Sequence, residues 1–249
     1  MKLKTFCKLK DGERGQVICF PYLGGYVSSF QELVHAAKEE DVEIWVANPP
    51  GHFGSELPLV SNIDELLSIY HEDISKIIKP DSLFFGHSMG GIIAFSLLEK
   101  MISAHDSILP VTLMMSASAA PCCFANRGYG KMSRQVLFDT LKSYGAMPEV
   151  ILNNRELMKN MLPIFQADYN VLESCATKAY QKIDINAYLL WGMEDKVEDI
   201  NNIHFWEMYF LSDLKVIPVY NAEHMYIHDR ADEIASYINQ AMDLQLLIN

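Results

Sequence analysis

The 249-residue sequence predicts an α/β fold with a mostly parallel sheet flanked by helices. Short apolar runs alternate with segments of helical periodicity, which is the pattern of parallel strands joined by right-handed crossover helices. Loops containing Gly, Pro or Ser follow the apolar runs, at the strand ends where such sheets bind ligands. One long stretch without a strand interrupts this alternation. We therefore expect a single domain over residues 1–249, with a helical insertion at about residues 119–183.

The composition is that of an ordinary globular protein, because half of the residues are hydrophobic and 21% are charged. A net charge of −12 argues against a nucleic-acid partner. The apolar runs fall far short of the roughly 18 residues that a membrane span needs. Met1–Lys8 is not followed by the apolar segment of a signal peptide, and the five cysteines lack metal-ligand spacing. We therefore expect a cytoplasmic protein with free thiols and no membrane contact.

The apolar runs predict one edge strand and six further strands. The edge strand is Lys4–Lys8, and the others are Gln16–Phe20, Val42–Ala47, the run that starts at Leu83, Val111–Met115, Ile185–Trp191 and Leu214–Val219.

Apolar residues at helical spacing predict the helices between these strands. Their expected extents are Phe30–Ala37, Ile63–Ile77, the stretch after Ser88 to about Ser103, Val136–Tyr144, Glu156–Leu162, Pro163–Cys175, Ile203–Tyr209 and Ala231 to about Leu246. Serine side chains favour helix N-termini, so we expect caps at Ser28 or Ser29, at Ser61 and at Ser133.

One stretch, from Leu83 to Phe95, combines an apolar strand, a sharp turn and an apolar helix. Within it, Gly86, Ser88 and Gly90 match the G-x-S-x-G nucleophile elbow, in which a strained turn exposes a serine hydroxyl. Glycines flank the serine because side chains there would clash in so tight a turn. Ordinary Gly/Ser turns also match this pattern. It therefore identifies Ser88 as a nucleophile only if the rest of the chain supplies a base, an acid and an oxyanion hole.

A serine hydroxyl needs a base to take its proton, and the sequence offers eight histidines. In folds with a nucleophile elbow the chain order is serine, acid, histidine, which selects the histidines after the last strand. We predict His224, which lies in the loop, with His228 as the alternative nearer to the next helix. His87 is expected to point away from Ser88, and the Pro-Pro-Gly loop favours a turn role for His52.

The same chain order places the acid between the nucleophile and the base, after the strand that ends at Trp191. We predict Asp195, with Glu194 and Asp199 as alternatives. An acid at this place orients the imidazole and stabilises its charged form. Each of these residues also has a simpler interpretation, as a solvated carboxylate in a loop.

The oxyanion hole needs backbone N–H groups that point at the developing negative charge. One donor should be Met89, directly after the nucleophile, and the other should lie in the loop Pro21–Gly25 after an early strand. We choose the N–H of Leu23, with that of Tyr22 as the alternative. The sequence has no motif for phosphate, dinucleotide or zinc binding, so that no cofactor and no metal are expected.

These residues resemble a known family, the type II thioesterases, which are the stand-alone editing hydrolases of nonribosomal peptide and polyketide synthesis in the α/β-hydrolase superfamily. Phe20–Gly25 is similar to the family's oxyanion loop, and Phe85–Gly90 is similar to its elbow. Tyr144–Val150 and Leu162–Tyr169 resemble its lid, which general esterases lack. The resemblance runs from about residue 16 to residue 238 and implies the α/β-hydrolase fold with a lid insertion.

The chain departs from the family pattern at positions that carry no catalytic group. Leu23 replaces an alanine, which is expected to narrow the acyl pocket. His52 and Gln166 stand where the family usually has arginine, and Lys196 replaces a proline. We expect these differences to affect loop geometry and substrate preference.

The resemblance implies a serine hydrolase that cleaves acyl or aminoacyl thioesters from the phosphopantetheine arm of carrier proteins. It implies a monomer whose partners are acyl or peptidyl carrier domains of a synthase, with no cofactor of its own. Met147, Met158 and Met161 either line the acyl pocket or belong to the core of the lid. The alternatives are a fatty acyl carrier thioesterase, a small-ester hydrolase of the same fold and, outside the enzymes, an idle subunit that only docks on a synthase.

Overall fold

The computed structural model of the protein describes residues 3–143 and 154–246. The expected lid segment Tyr144–Val150, which includes Met147, lies outside the described residues. Within the described chain, seven strands form one sheet in the order β1-β3-β2-β4-β5-β6-β7. The strands are β1 (Phe6–Lys10), β2 (Gly15–Phe20), β3 (Val42–Ala47), β4 (Ser82–His87), β5 (Thr112–Ser116), β6 (Asn186–Gly192) and β7 (Lys215–Val219).

The sheet is parallel except at one edge. β1 pairs antiparallel with β3, and every other neighbouring pair of strands is parallel. The predicted, mostly parallel sheet is therefore confirmed, although its edge strand begins two residues later than expected. Between β5 and β6 the described residues form helices, turns and an isolated bridge from Ile183 to Phe210.

Helices cover both faces of this sheet. They are α1 (Gln31–Ala36), α2 (Ile63–Ile74), α3 (Met89–Ser103), α4 (Arg134–Ser143), α5 (Arg155–Thr177), α6 (Tyr226–Asp229) and α7 (Ala231–Leu246). β2, β4 and β5 are buried along their whole length, which requires cover on both sides. Because strand residues alternate between faces, Val17 joins the apolar cluster under α1, α6 and α7, while Ile18 joins the cluster under α2, α3 and α5.

The structure confirms one of the three expected helix caps. Ser133 caps α4, since its Oγ accepts the N–H of Val136 at 3.3 Å. The expected cap at Ser61 is wrong, because Asn62 one residue later accepts the N–H of Asp64 at 2.8 Å. The cap expected at Ser28 or Ser29 is also wrong, because a 3-10 turn over Val27–Phe30 precedes α1.

Two helix predictions in the second half of the chain are also wrong. Glu156–Leu162 and Pro163–Cys175 form one continuous helix, α5, with Pro163 inside it. A proline inside a helix removes one hydrogen bond, and its ring crowds the carbonyl four residues earlier. The buried side chains of Met158 and Phe165 nevertheless hold the helix on both sides of Pro163. The helix expected at Ile203–Tyr209 is a 3-10 segment over Ile200–Tyr209.

In the parts of the chain that the structure describes, no helix combines the length and the apolar character needed to cross a bilayer. All five cysteines carry free thiols, as expected.

Candidate active site

Ser88 lies at the tip of the turn between β4 and α3, and its backbone is strained. Its φ of 53° and ψ of −121° lie outside the regions that non-glycine residues prefer. A Cβ on Gly86 would come within 2.2 Å of Gly90 O, and one on Gly90 would come within 2.0 Å of Phe20 O. The close approach of the backbone excludes any side chain at both positions. The turn thus has the geometry of a nucleophile elbow.

The structure brings Ser88, His224 and Asp195 together in one chain of hydrogen bonds. Ser88 Oγ lies 3.0 Å from His224 Nε2, and His224 Nδ1 lies 2.7 Å from Asp195 Oδ2. A carboxylate only accepts hydrogen bonds, so Nδ1 carries the proton that is donated to Asp195. The lone pair of Nε2 is then free to accept the hydrogen of the serine hydroxyl. This arrangement can activate a serine nucleophile.

The loop after β6 holds Asp195 in place. The side chain is 0% exposed, and its Oδ1 accepts the N–H groups of Val197 at 2.8 Å and Glu198 at 3.1 Å. Together with the bond from His224, these contacts fix both carboxylate oxygens. The acid therefore needs no movement to orient the imidazole.

The alternatives to these residues have other roles. Glu194 is exposed to solvent. Asp199 caps the following 3-10 segment by accepting the N–H of Asn201 at 2.9 Å. His228 Nε2 lies 3.0 Å from Tyr22 OH. The structure thus separates the three predicted residues from their neighbours in the sequence.

His87 is buried behind the elbow and faces away from the nucleophile, as expected. Its Nδ1 lies 2.9 Å from Ser116 Oγ, which lies 2.6 Å from Tyr226 OH. Burial holds the pKa of His87 well below its ordinary value, and the charges of His224 and His228 lower this pKa further. A neutral His87 adds no positive charge beside the hydrogen-bonded chain.

A pocket opens beside Ser88, between the sheet and the helical insertion, and it encloses about 70 Å³. Its walls are mostly apolar and include Leu23, Met89, Phe124, Tyr169 and Leu172. Met89 is the first residue of α3, where backbone N–H groups have no acceptor within the helix. Both predicted oxyanion donors, Leu23 and Met89, therefore line the same pocket as the nucleophile. Tyr22 lines it as well, so the choice between Leu23 and Tyr22 stays a prediction.

Neither Met158 nor Met161 is among the described residues that line this pocket, and Met158 is buried in the core. Within residues 3–143 and 154–246, no three His, Cys, Asp or Glu side chains lie close enough together to hold a metal ion.

Asp168 of α5 connects the helical insertion to the predicted oxyanion loop. Its Oδ2 accepts the N–H of Gly24 at 2.7 Å and lies 3.2 Å from His52 Nε2. Phe165 lies on the same side of α5, so close that a Cβ on Gly24 would come within 2.4 Å of its ring. The φ of Gly24 is +74°, which also favours glycine. A lid helix thus holds the residue next to Leu23 by one polar and one apolar contact.

His52 keeps its predicted turn role, since its Nδ1 lies 3.2 Å from Pro50 O. Burial alone lowers the pKa of His52, but the Asp168 carboxylate outweighs that effect, so that the pKa lies above its ordinary value. Sequence reasoning missed the contact between His52 and Asp168. The two residues lie 116 positions apart, and no local pattern connects them.

Known proteins share both the sequence pattern and the fold. The sequence profile of the thioesterase domain family matches residues 15–242. The gramicidin S biosynthesis protein GrsT of Aneurinibacillus migulanus is 27% identical over 93% of this chain and 90% of its own. The medium-chain S-acyl fatty acid synthase thioesterase of Homo sapiens is 25% identical over 98% of this chain and 93% of its own.

A solved structure gives the same result for the fold. The type II thioesterase BorB from the borrelidin biosynthetic cluster superposes with a TM-score of 0.81 and 21% identity, over 96% of this chain and 97% of BorB. At that identity, the likeness shows the shared fold. Because the family profile spans nearly the whole chain, the protein belongs to the thioesterase domain family and is a thioester hydrolase with the α/β-hydrolase fold, as its sequence predicts.

Proposed function

We propose that this protein is an editing type II thioesterase, which removes acyl and aminoacyl groups from the phosphopantetheine arm of carrier proteins in nonribosomal peptide or polyketide synthesis. The observation that carries the chemistry is the hydrogen-bonded chain of Ser88, His224 and Asp195. The likeness to GrsT and BorB, whose names refer to gramicidin S biosynthesis and the borrelidin cluster, supports the biological setting.

In the first half of the proposed reaction, Ser88 Oγ attacks the thioester carbonyl carbon while His224 Nε2 takes the hydroxyl proton. Asp195 stabilises the imidazolium that forms. The backbone N–H groups of Met89 and Leu23 donate to the oxyanion. When the tetrahedral intermediate collapses, the C–S bond breaks and the sulfur leaves with the proton from His224. The acyl group remains as an ester on Ser88.

In the second half, water attacks the ester carbonyl carbon and gives a proton to His224. Collapse of the second tetrahedral intermediate returns that proton to Ser88 Oγ and releases the carboxylic acid. The same oxyanion donors serve both halves, because the carbonyl carbon stays in place. The proposed reaction uses no cofactor of the enzyme, since the thiol arm arrives with the substrate.

The pocket beside Ser88 holds about 70 Å³, which is about half of a 150 Å³ cavity that holds benzene. A leucyl group and a longer acyl chain both exceed this volume, so both must extend beyond the pocket. The likeness to GrsT and BorB supports editing as the first candidate. Release of medium-length chains from fatty acyl carriers is the second candidate, which the likeness to the human medium-chain enzyme supports.

The partners in this proposal are acyl or peptidyl carrier domains, and the protein acts as a cytoplasmic monomer. Neither nucleic acid nor a membrane takes part. Its net charge of −12 requires that an acidic carrier dock on a local neutral or basic patch.

The test is to incubate the protein with one carrier protein that is loaded in turn with acetyl, leucyl, octanoyl and palmitoyl groups. Mass spectrometry of the carrier follows release, and the Ser88→Ala variant serves as control. We expect acetyl and leucyl release by the wild type and none by the variant. A sharp preference for octanoyl would support the second candidate. Turnover of soluble esters without any release from carriers would support a small-ester hydrolase and contradict the proposal.

A further inference from the structure

Two charged side chains, Arg127 and Glu198, line the otherwise mostly apolar pocket beside Ser88. Glu198 is only 8% exposed, whereas Arg127 is half-buried. Arg127 acts on Glu198 through its charge, without a hydrogen bond between the two. Charged groups are expensive to bury, so their presence in an acyl pocket calls for a reason.

Glu198 lies one turn after the acid of the hydrogen-bonded chain. Its backbone N–H donates to Asp195 Oδ1 at 3.1 Å, which anchors Glu198 beside the reacting groups. Among the described residues, none donates a hydrogen bond to its carboxylate. Burial holds the pKa of Glu198 above its ordinary value; the charges of Arg127 and His224 oppose this increase, and the charge of Asp195 adds to it. The pocket thus presents a shielded acceptor for a positively charged donor.

We infer that the Glu198 carboxylate binds the α-ammonium group of an aminoacyl thioester and thereby favours aminoacyl over plain acyl substrates. This inference rests on the proposed function, because it concerns the acyl group that Ser88 attacks. The α-nitrogen is two bonds from the attacked carbonyl carbon, so its acceptor must lie near the nucleophile and its base. Among the described residues that line the pocket, Glu198 is the one carboxylate.

Arg127 offers the opposite possibility, an acyl group that bears a carboxylate. Its guanidinium is already bonded within the insertion, since Nε donates to Cys123 O at 2.5 Å and Nη1 donates to Tyr129 OH at 3.1 Å. Its charge also favours the ionised form of Glu198. Of the two groups, the Glu198 carboxylate is the one that receives no hydrogen bond from the described residues, and an ammonium is the ligand that matches it.

The experiment compares two substrates that differ only in the α-amino group. One carrier protein is loaded with leucyl or with 4-methylpentanoyl phosphopantetheine, and kcat/KM is measured for each. We expect Glu198→Gln to lower kcat/KM for leucyl about tenfold and to change the value for 4-methylpentanoyl less than twofold. Glu198→Asp should keep part of the preference for leucyl. The matched control is Glu194→Gln, which removes an exposed carboxylate from the same loop and should change neither value.

Equal losses on both substrates would mean that the Glu198 side chain acts only on the hydrogen-bonded chain, through its charge beside Asp195 and His224, which would overturn the inference. An unchanged ratio of the two kcat/KM values in Glu198→Gln would overturn it as well. If the wild type hydrolyses 4-methylpentanoyl carrier and shows no preference for leucyl, the inference about Glu198 is wrong while the proposed function stands. If the wild type hydrolyses neither substrate, the proposed function is wrong, and the inference about Glu198 is wrong with it.

Discussion

The two walls of the active site are built in different ways. On the sheet side, Ser88 and Asp195 follow buried parallel strands, and their positions depend on backbone ladders and short loops. On the lid side, α5 reaches the site through side chains, chiefly Asp168 and Phe165. A ladder of backbone hydrogen bonds tolerates little displacement of its strands, whereas side-chain contacts can be removed one at a time. Substitutions on the sheet side should therefore abolish thioester hydrolysis, whereas substitutions on the lid side should lower its rate only in part.

The largest effect is expected for Ser88→Ala, which removes the attacking oxygen. We expect kcat on a loaded carrier protein to fall by about 10⁴-fold or more, as in other serine hydrolases that lose the nucleophile. The melting temperature should stay close to that of the wild type, because alanine keeps the strained backbone of the turn. Residual turnover above one-hundredth of the wild-type rate would show that another residue attacks.

The next effect on the sheet side is expected for Asp195→Asn. The charged Asp195 Oδ2 accepts the hydrogen of His224 Nδ1 at 2.7 Å, and an amide lacks the charge that keeps this proton on Nδ1. We expect kcat to fall by about 10³-fold, with little change in KM. Glu194→Gln and Asp199→Asn are the controls and should stay within twofold of the wild type. A loss in either control as large as that in Asp195→Asn would contradict the assignment of the acid.

On the lid side, Asp168→Ala should give an intermediate effect. It leaves the Gly24 N–H and the His52 imidazole without their buried acceptor. We expect kcat to fall about 10- to 100-fold and the free energy of unfolding in urea to fall by about 3 kcal/mol. Asp168→Asn should lose less of both, because its amide oxygen can still accept the Gly24 N–H.

A matched control separates loop positioning from a general loss of lid packing. Ser174 of α5 also accepts a backbone N–H from the body of the protein, that of Ile63 at 2.8 Å, and it is not among the described residues that line the pocket. Ser174→Ala should lower stability by about 1 kcal/mol and leave kcat unchanged. If Ser174→Ala lowers kcat as much as Asp168→Ala does, the contact at Gly24 has no special role.

The smallest effect concerns the pH dependence of stability at His52. Its pKa in the folded protein is raised by Asp168, so that the folded state holds this proton more tightly than the unfolded chain. The stabilisation is complete below the ordinary histidine value of 6.5 and is lost as the pH rises through the folded-state value. The difference in unfolding free energy between the wild type and His52→Gln should therefore shrink from pH 5.5 to pH 8.5. A difference that grows over this range would contradict the pairing with Asp168.

The same contrast between the walls explains what the sequence could predict. The elbow and its strand and helix are contiguous, so one local pattern contains the whole unit. His224 and Asp195 are remote from Ser88, but each follows a recognisable strand in a set chain order. The bond between Gly24 and Asp168 joins residues 144 positions apart, with neither partner in a motif for such a contact. The continuity of α5 through Pro163 could not be predicted for a different reason. The packing of buried side chains outweighs the tendency of proline to end a helix, and that packing cannot be read from the local sequence.

Direct capture of the acyl-enzyme tests the central claim, which is that Ser88 attacks the thioester and carries the acyl group. The wild-type protein is mixed with leucyl-loaded carrier protein, quenched in acid at short times, digested and analysed by mass spectrometry. We expect a leucyl adduct on the peptide that contains Ser88, which rises and then decays as free leucine forms, and no adduct in Ser88→Ala. Formation of leucine at the wild-type rate in Ser88→Ala, or an adduct on another residue that decays at the rate of turnover, would contradict the account.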